Sequence, residues 1–223
     1  NMIRIEDYIP IVGQATVEEL GLLADRLRGK AIQNINSTAV GGGVAEILSR
    51  MIPLLSQLGV SAAWDVIKGD EKFFEVTKKF HNGLHGVPVE IDAGEYAHFL
   101  EVNRYNAEQI RFGDVVFVHD PQPIALVEKR GAIGKNWLWR CHIDFSQPDP
   151  KIWEFLRQFI PRYDAAVFSA PAFSQKLPIP QVLIAPSIDP LSDKNKELDE
   201  ATIDAVFARF GIDRSRPVVT QIS

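Results

Sequence analysis

Two hydrophobic periods alternate along most of the chain. Leu20, Leu23 and Leu27 fall on one helical face; the capping-box form of Thr16-Val17-Glu18-Glu19 marks the start of that helix and Gly29 its stop. Ala31-Ile32-Gln33-Asn34-Ile35-Asn36 reads as a short strand running into Gly41-Gly42-Gly43. Val44, Ile47, Leu48, Met51, Ile52, Leu55 and Leu58 then repeat at three and four residues, predicting a strong helix with a kink at Pro53. Gly59 ends it, and 60–67 resembles the next strand. Helices over 71–80, 95–110 and 151–160 follow. Between them lie strands at 115–118, at 165–168 and after Trp137-Leu138-Trp139, the last ending near His142. Val115-Val116-Phe117-Val118 has the continuous apolar character of a strand buried on both faces. Residues 181–184 form one more strand candidate. Asp199 is placed to cap a helix with Ile203, Val206, Phe207 and Phe210 inward and Gly211 at its end, and Val218–Ser223 reads as a fresh strand.

Strands separated by helices pair in parallel through right-handed crossovers, so the pattern predicts an α/β fold, a Rossmann-like parallel sheet sandwiched by helices. A last strand with nothing after it cannot build a sheet. The expected division is therefore one domain over 1–210, with 211–223 as the linker and first strand of another. Composition acts by exclusion. The 223 residues, 46% hydrophobic and 24% charged, are an ordinary globular mixture. A net charge of −5 without a basic stripe argues against nucleic acid. No apolar run reaches the ~18 residues of a membrane span, and the first residues do not read as a signal peptide. Cys141 is the only cysteine, which rules out an intrachain disulfide or a cysteine-cluster metal site. A cytoplasmic location is the simplest expectation.

Parallel α/β sheets bind ligands at the carboxyl ends of their strands. Four polar clusters follow strand candidates: Asn36-Ser37-Thr38 with the three glycines, His119-Asp120-Pro121-Gln122-Pro123, Arg140-Cys141-His142-Ile143-Asp144, and Pro186-Ser187-Ile188-Asp189. Gly41, Gly42 and Gly43 let backbone approach a ligand and aim the amides of the Val44 helix at an anion. They serve equally as a tight structural turn. No Gly-Lys-Ser/Thr follows, so the loop is not a P-loop, and Glu46 takes the third glycine place of the dinucleotide fingerprint. His119 and Asp120 emerge together at the rim, as hydrogen bonding to sugar hydroxyls requires; the alternative is a turn in which Asp120 caps a helix from Pro121. Strand alternation points Arg140 and His142 one way and Cys141 the other, with an Arg140–Asp144 pair as the plainer reading. His81 and His85 lack the glutamate of a metalloprotease motif, His98 shows no partner, and no G-x-S-x-G elbow is present.

Together, Asn36-Ser-Thr-Ala-Val-Gly-Gly-Gly-Val-Ala-Glu46, Val118-His-Asp-Pro-Gln-Pro123, Trp137-Leu-Trp-Arg-Cys-His-Ile-Asp144 and Pro186-Ser-Ile-Asp-Pro190 resemble the trehalose glycosyltransferring synthases, with Phe80-His-Asn82 also matching. These are family 4 retaining glycosyltransferases of GT-B fold. The resemblance implies the N-terminal domain of such an enzyme, which joins a nucleoside-diphosphate glucose to glucose. It places Gly41–Gly43 beside the donor's diphosphate, and Ser37, His119, Gln122 and Asp144 in the sugar site. Asp120, Arg140 and His142 are implied as catalytic, His142 against the donor glucose. No cofactor or metal is expected, and glucose or trehalose would be the ligand. The nucleotide would be held by a further domain, so this fragment is expected to be inactive alone. Apolar surface left by that domain allows a homodimer. Trehalose phosphorylases share these motifs and give the alternative activity. A non-catalytic sugar-binding or interaction module and a nicotinamide oxidoreductase, with Asp65 as the ribose acid, are the readings from other classes.

Overall fold

The computed structural model describes residues 3–133 and 136–220. They divide into two compact units, one up to Ser187 and one from Ile188. The first unit runs α1 (Ile9–Val12), α2 (Gln14–Asp25), β1 (Ala31–Asn36), α3 (Gly43–Gln57), β2 (Ser61–Val66), α4 (Glu71–Leu84), α5 (Ala93–Gln109), β3 (Val115–His119), α6 (Arg130–Ile133), β4 (Asn136–Cys141), α7 (Pro150–Arg157), β5 (Ala165–Phe168) and β6 (Gln181–Leu183). The strands form one parallel sheet in the order β2-β1-β3-β4-β5-β6. Strand order therefore reverses between β1 and β3, the switch point at which open α/β sheets leave a crevice beyond their carboxyl ends.

One sheet face makes the core. Alternation along the strands sends Ile35, Val116, Val118, Trp137, Trp139 and Cys141 into a cluster with Phe73, Val76 and Phe80 of α4, Phe99 of α5, and Ile152 and Leu156 of α7. The Phe80 ring centre lies 4.8 Å from that of Phe99 and 5.6 Å from that of Phe155. The opposite face is different. Val115 and Phe117 are only half-buried, so β3 is not enclosed on both sides as its unbroken apolar run predicts. The same face carries Asn34, Asn36, His119 and Arg140 towards the carboxyl rim, as the pairing of His119 with Arg140 requires.

Two helix starts differ from the pattern reading. α2 begins after Gly13, and Thr16 lies inside it with its hydroxyl donating to the Val12 carbonyl at 2.8 Å. Back-bonding of this kind competes with the capping geometry expected of Thr16. The Leu20 and Leu23 side of α2 is exposed. α5 starts two residues before the expected Glu95 because Asp92 and Glu95 exchange side-chain-to-backbone bonds in a complete capping box.

In the second unit, α8 (Glu200–Phe210) has the expected ends. The Asp199 carboxylate accepts from the Thr202 amide at 2.7 Å, and Gly211 takes the left-handed C-cap at φ 62°. Its apolar face is not buried among the described residues, since Val206 is 44% and Phe210 65% exposed. Val218–Thr220 belong to no strand, and the rest of the expected final strand, Gln221–Ser223, lies outside the described residues. No described helix is long and apolar enough to cross a membrane.

The aromatic cluster between α4, α5 and α7 should dominate the stability of the first unit. Phe80→Ala is expected to cost ~3–5 kcal/mol by urea unfolding. Phe74→Ala, on the exposed side of α4, should cost about 1 kcal/mol. Equal losses would show that the ring cluster is not the core.

Candidate functional site

The carboxyl ends of β3 and β4 are tied together through Asp120. The β ladder continues one residue past the strand, with the Asp120 amide donating to the Arg140 carbonyl at 2.8 Å. Asp120 then turns the chain in a left-handed conformation, φ 64°, which is uncommon for any residue but glycine. Its carbonyl accepts from the Trp139 indole at 3.0 Å, and its Oδ1 accepts from the His142 amide at 2.7 Å. It therefore does not cap a helix from Pro121; the next helical turn is the 3-10 segment Ile124–Lys129.

Burial pushes the Asp120 carboxyl up to about 6, against the His142 amide bond and the Arg140 charge, which both act to lower it. The unused Oδ2 has no partner among the described residues and is not a buried orphan. His119 is 2% exposed, and both of its ring nitrogens are engaged. Nε2 lies 3.0 Å from Asn34 Oδ1, and Nδ1 lies 3.1 Å from His142 Nε2. The two imidazoles lie nearly parallel at 17°, with centres 5.4 Å apart. Burial first, then the neighbouring His142 and Arg140, brings His119 down to about 3. Burial and Arg140 bring His142 to about 4.

Arg140 and His142 are both half-buried, whereas Cys141 between them is fully enclosed and its thiol is pushed well up by burial. The alternation expected of this strand end is observed. Arg140 makes no ion pair among the described residues. Asp144 turns instead to the Ser146 amide at 2.9 Å, which is the first cause of its lowered value, with the charge of His85 a smaller one. Among the described residues, the side chain of Gln122 donates no hydrogen bond to the turn. Its backbone carbonyl accepts from Asn103, and its Oε1 is buried without a partner.

The switch point supplies the other side of the rim. Asn36, at the end of β1, accepts from the Trp64 indole at 2.8 Å and donates to the Thr38 carbonyl at 2.8 Å, setting the path of the loop from half-buried Ser37. Gly41 and Gly42 have φ of 73° and 80°, and Gly42 is the N-cap of α3. A side chain there would meet nothing within 4 Å, so backbone conformation rather than crowding calls for glycine. The first turn of α3 also carries Glu46. No hydrogen bond among the described residues joins the glycine loop to the Asp120 turn. The sheet brings His119, Asp120, Arg140 and His142 together, with Gln122 on the same turn, and sets Ser37 and the glycines on the neighbouring strand end. Asp144 lies in its own local turn.

Other residues fall outside this cluster. His81 and His85 are exposed near the end of α4 with ring centres 4.8 Å apart. His98, which the sequence leaves without a partner, lies 2.8 Å from Asp70, the N-cap of α4. Asp65 accepts from Gln33 at 2.7 Å. Asp189, in the second unit, accepts from the Leu191 amide at 3.0 Å. Cavities of about 490 Å³ at Val127, Glu128, Arg130, Gly131 and Arg162, and about 380 Å³ around the starts of β1 and β2 and the loop before β3, lie away from the carboxyl rim. Asn34 is the participant that pattern reading passes over. A polar residue at the centre of a strand expected to be buried is the signal that could have found it.

Residues 34–175 match the family model for the N-terminal domain of trehalose synthase. The chain belongs to the trehalose synthase N-terminal domain family. It is 43% identical to the trehalose synthase of Pyrococcus horikoshii over 99% of its own length and 54% of that protein's. A trehalose phosphorylase of Pleurotus pulmonarius is 30% identical, over 87% of this chain and 30% of that protein. A crystal structure of an α,α-trehalose 6-phosphate synthase from Burkholderia multivorans aligns with 64% of this chain and 41% of its own at 18% identity, with a TM-score of 0.46. The chain thus spans about half the length of the trehalose synthases it matches.

Buried His119 and half-buried His142 make the stability of this domain depend on pH. As pH falls from about 6.5 to 4, the unfolded chain protonates His119 and His142 while the folded chain holds them neutral, so acidification destabilises. Asp120 acts oppositely, because its folded carboxyl takes up a proton near 6, before the unfolded one at 3.8. Two losses exceed one gain. The urea midpoint should be lower at about pH 4.5 than at about pH 7, and His142→Gln should shrink that difference. A midpoint that rises on acidification would show that the imidazoles are not held neutral.

Proposed function

We propose that the chain is the acceptor-side part of a GT-B glucosyltransferase that forms trehalose from a nucleoside-diphosphate glucose and glucose with retention. The observation that carries this reading is the Asp120 turn at the switch point. It leaves one carboxylate oxygen and the Nδ1 of His142 without a partner among the described residues, near the Arg140 cation. A set of acceptors with one cation suits the hydroxyl groups of a hexose. Membership of the trehalose synthase family supports the choice of sugar.

In the proposed reaction the acceptor's anomeric hydroxyl oxygen attacks the donor's anomeric carbon on the face that the diphosphate leaves. The carbon–oxygen bond to the diphosphate breaks, and the hydroxyl proton passes to a diphosphate oxygen, giving trehalose and nucleoside diphosphate. Asp120 holds a sugar hydroxyl by a charge-assisted bond, His142 accepts from the donor glucose, and Arg140 supplies positive potential. His119 supports His142 from behind, and Gln122 and Ser37 complete the sugar wall. The amides around Gly41–Gly43 lie toward the diphosphate, and Asp144 stays at the margin. The scheme calls for no metal or cofactor. The nucleotide is held chiefly by further sequence of the kind the longer relatives contain, so this chain alone does not turn over. Phosphorolysis of trehalose is the second reading, favoured by the 30% identical phosphorylase.

The test pairs this chain with a protein extended to the length of the trehalose synthases it matches. The chain alone should release no nucleoside diphosphate, and the extended protein should release it from an activated glucose only when glucose is present. Asp120→Asn should lower that rate roughly 100-fold, the loss of one hydrogen bond to a charged group. Trehalose cleavage that depends on inorganic phosphate would select phosphorolysis. An extended, folded protein doing neither would end the proposal.

A further inference from the structure

Asn34 is 2% exposed on β1, and its Oδ1 faces His119 Nε2 at 3.0 Å, while its Nδ2 has no partner. An amide oxygen only accepts, so His119 carries its proton on Nε2. A neutral imidazole has one such proton, which leaves His119 Nδ1 as an acceptor. His142 Nε2, 3.1 Å away, must then be the N–H. The remaining nitrogen, His142 Nδ1, keeps its lone pair and has no partner among the described residues. Flipping the amide would exchange one buried orphan for another and reverse every proton along this row. The two arrangements are discrete, and the one with the oxygen toward His119 presents an acceptor at the rim.

We propose that Asn34 is a positioning residue: acting through His119, it fixes His142 as the Nε2–H tautomer and so shows a bare Nδ1 to a ligand hydroxyl. The choice of a hydroxyl rests on the sugar-site reading above; the tautomer lock rests on the amide orientation that turns Asn34 Oδ1 toward His119, and on the two bonds that follow from it. Arg140, paired with His119 across β3 and β4, and Asp120, bonded to the His142 amide, are the charged groups facing the pair. Arg140 opposes a second proton on either ring.

The test is imidazole nitrogen NMR on the whole chain, labelled with ¹⁵N-histidine and free of sugar near neutral pH. Wild type should show both His119 and His142 protonated at Nε2 and bare at Nδ1. A His142 protonated at Nδ1, or a cationic ring at either position, would overturn the proposal. In Asn34→Leu, His142 should become a mixture of tautomers. Asn34→Asp keeps an acceptor and should retain the proton on His119 Nε2 while raising its pKa. A leucine variant with His142 still wholly Nε2–H would also overturn it. If that variant does not fold, the wild-type and aspartate spectra decide. With the tautomers as stated, a nucleoside-diphosphate glucose added to the protein extended to the length of its relatives should shift the His142 Nδ1 signal; a signal unmoved at saturating donor would overturn the sugar-site reading while the tautomer lock stood.

Discussion

The rim depends on how one residue, Asp120, ends β3. Its amide, carbonyl and side-chain oxygen each reach β4 or the residue after it, through Arg140, Trp139 and His142. A non-glycine residue in the left-handed region costs on the order of 1–2 kcal/mol, and three hydrogen bonds of about 1 kcal/mol each offset it. The bond to the His142 amide then fixes the first residue beyond β4. Without it, the His142 imidazole would have no defined place beside His119, since His142 follows the strand rather than lying in it. Strain and site therefore share one cause, as strained backbone at functional sites generally does.

The sheet supplies the second requirement, two faces of opposite character. Trp137, Trp139 and Cys141 anchor β4 in the aromatic core, and alternation obliges Leu138 and Arg140 to the other side. Asn34, Asn36 and His119 occupy that same side on β1 and β3. A polar row inside a parallel sheet would be costly if it were left unpaired. It is largely paired internally, Asn36 with Trp64 and the Asn34 oxygen with His119, while Asn34 Nδ2 is left over. Core packing thus sets the position of the rim groups, and their mutual bonds set their protonation.

Much of this was legible in the residues. β1 and β5 span the segments their apolar runs mark, and the opposite directions of Cys141 and His142 follow from a period of two. The box at Asp92 and Glu95 was present as Asp-x-x-Glu and passed over, because the stripe of α5 is irregular. Other features had no local signal. The Asp120–His142 bond spans 22 residues, and the Asn34–His119 bond spans 85. Contacts of that separation are set by strand order, which periodicity does not encode. Strand order also decides that Asn36 and His119 flank the switch point. The exposure of Val206 and Phe210 was equally hidden, since a hydrophobic stripe states that a face is apolar and not what lies against it.

The protonation pattern bears on how such a rim would treat a transferring glucosyl group. His119 and His142 stay neutral well below physiological pH, so they add no charge, and Arg140 remains the cation of the cluster. Asp120 loses its proton near 6 and is ionised at neutral pH, yet it is more basic than an exposed aspartate. A more basic carboxylate is the better hydrogen-bond acceptor, provided that it is still charged. In the proposed reaction the acceptor's proton leaves with the diphosphate, so a residue that held the hydroxyl but seized its proton would stall the transfer. A carboxylate poised about one unit below neutrality grips the hydroxyl. The neutral imidazoles beside it leave the positive potential of Arg140 unshared. In the proposed reaction, acceptors for hydroxyls and one cation for the departing phosphate would be the use made of the tie between β3 and β4.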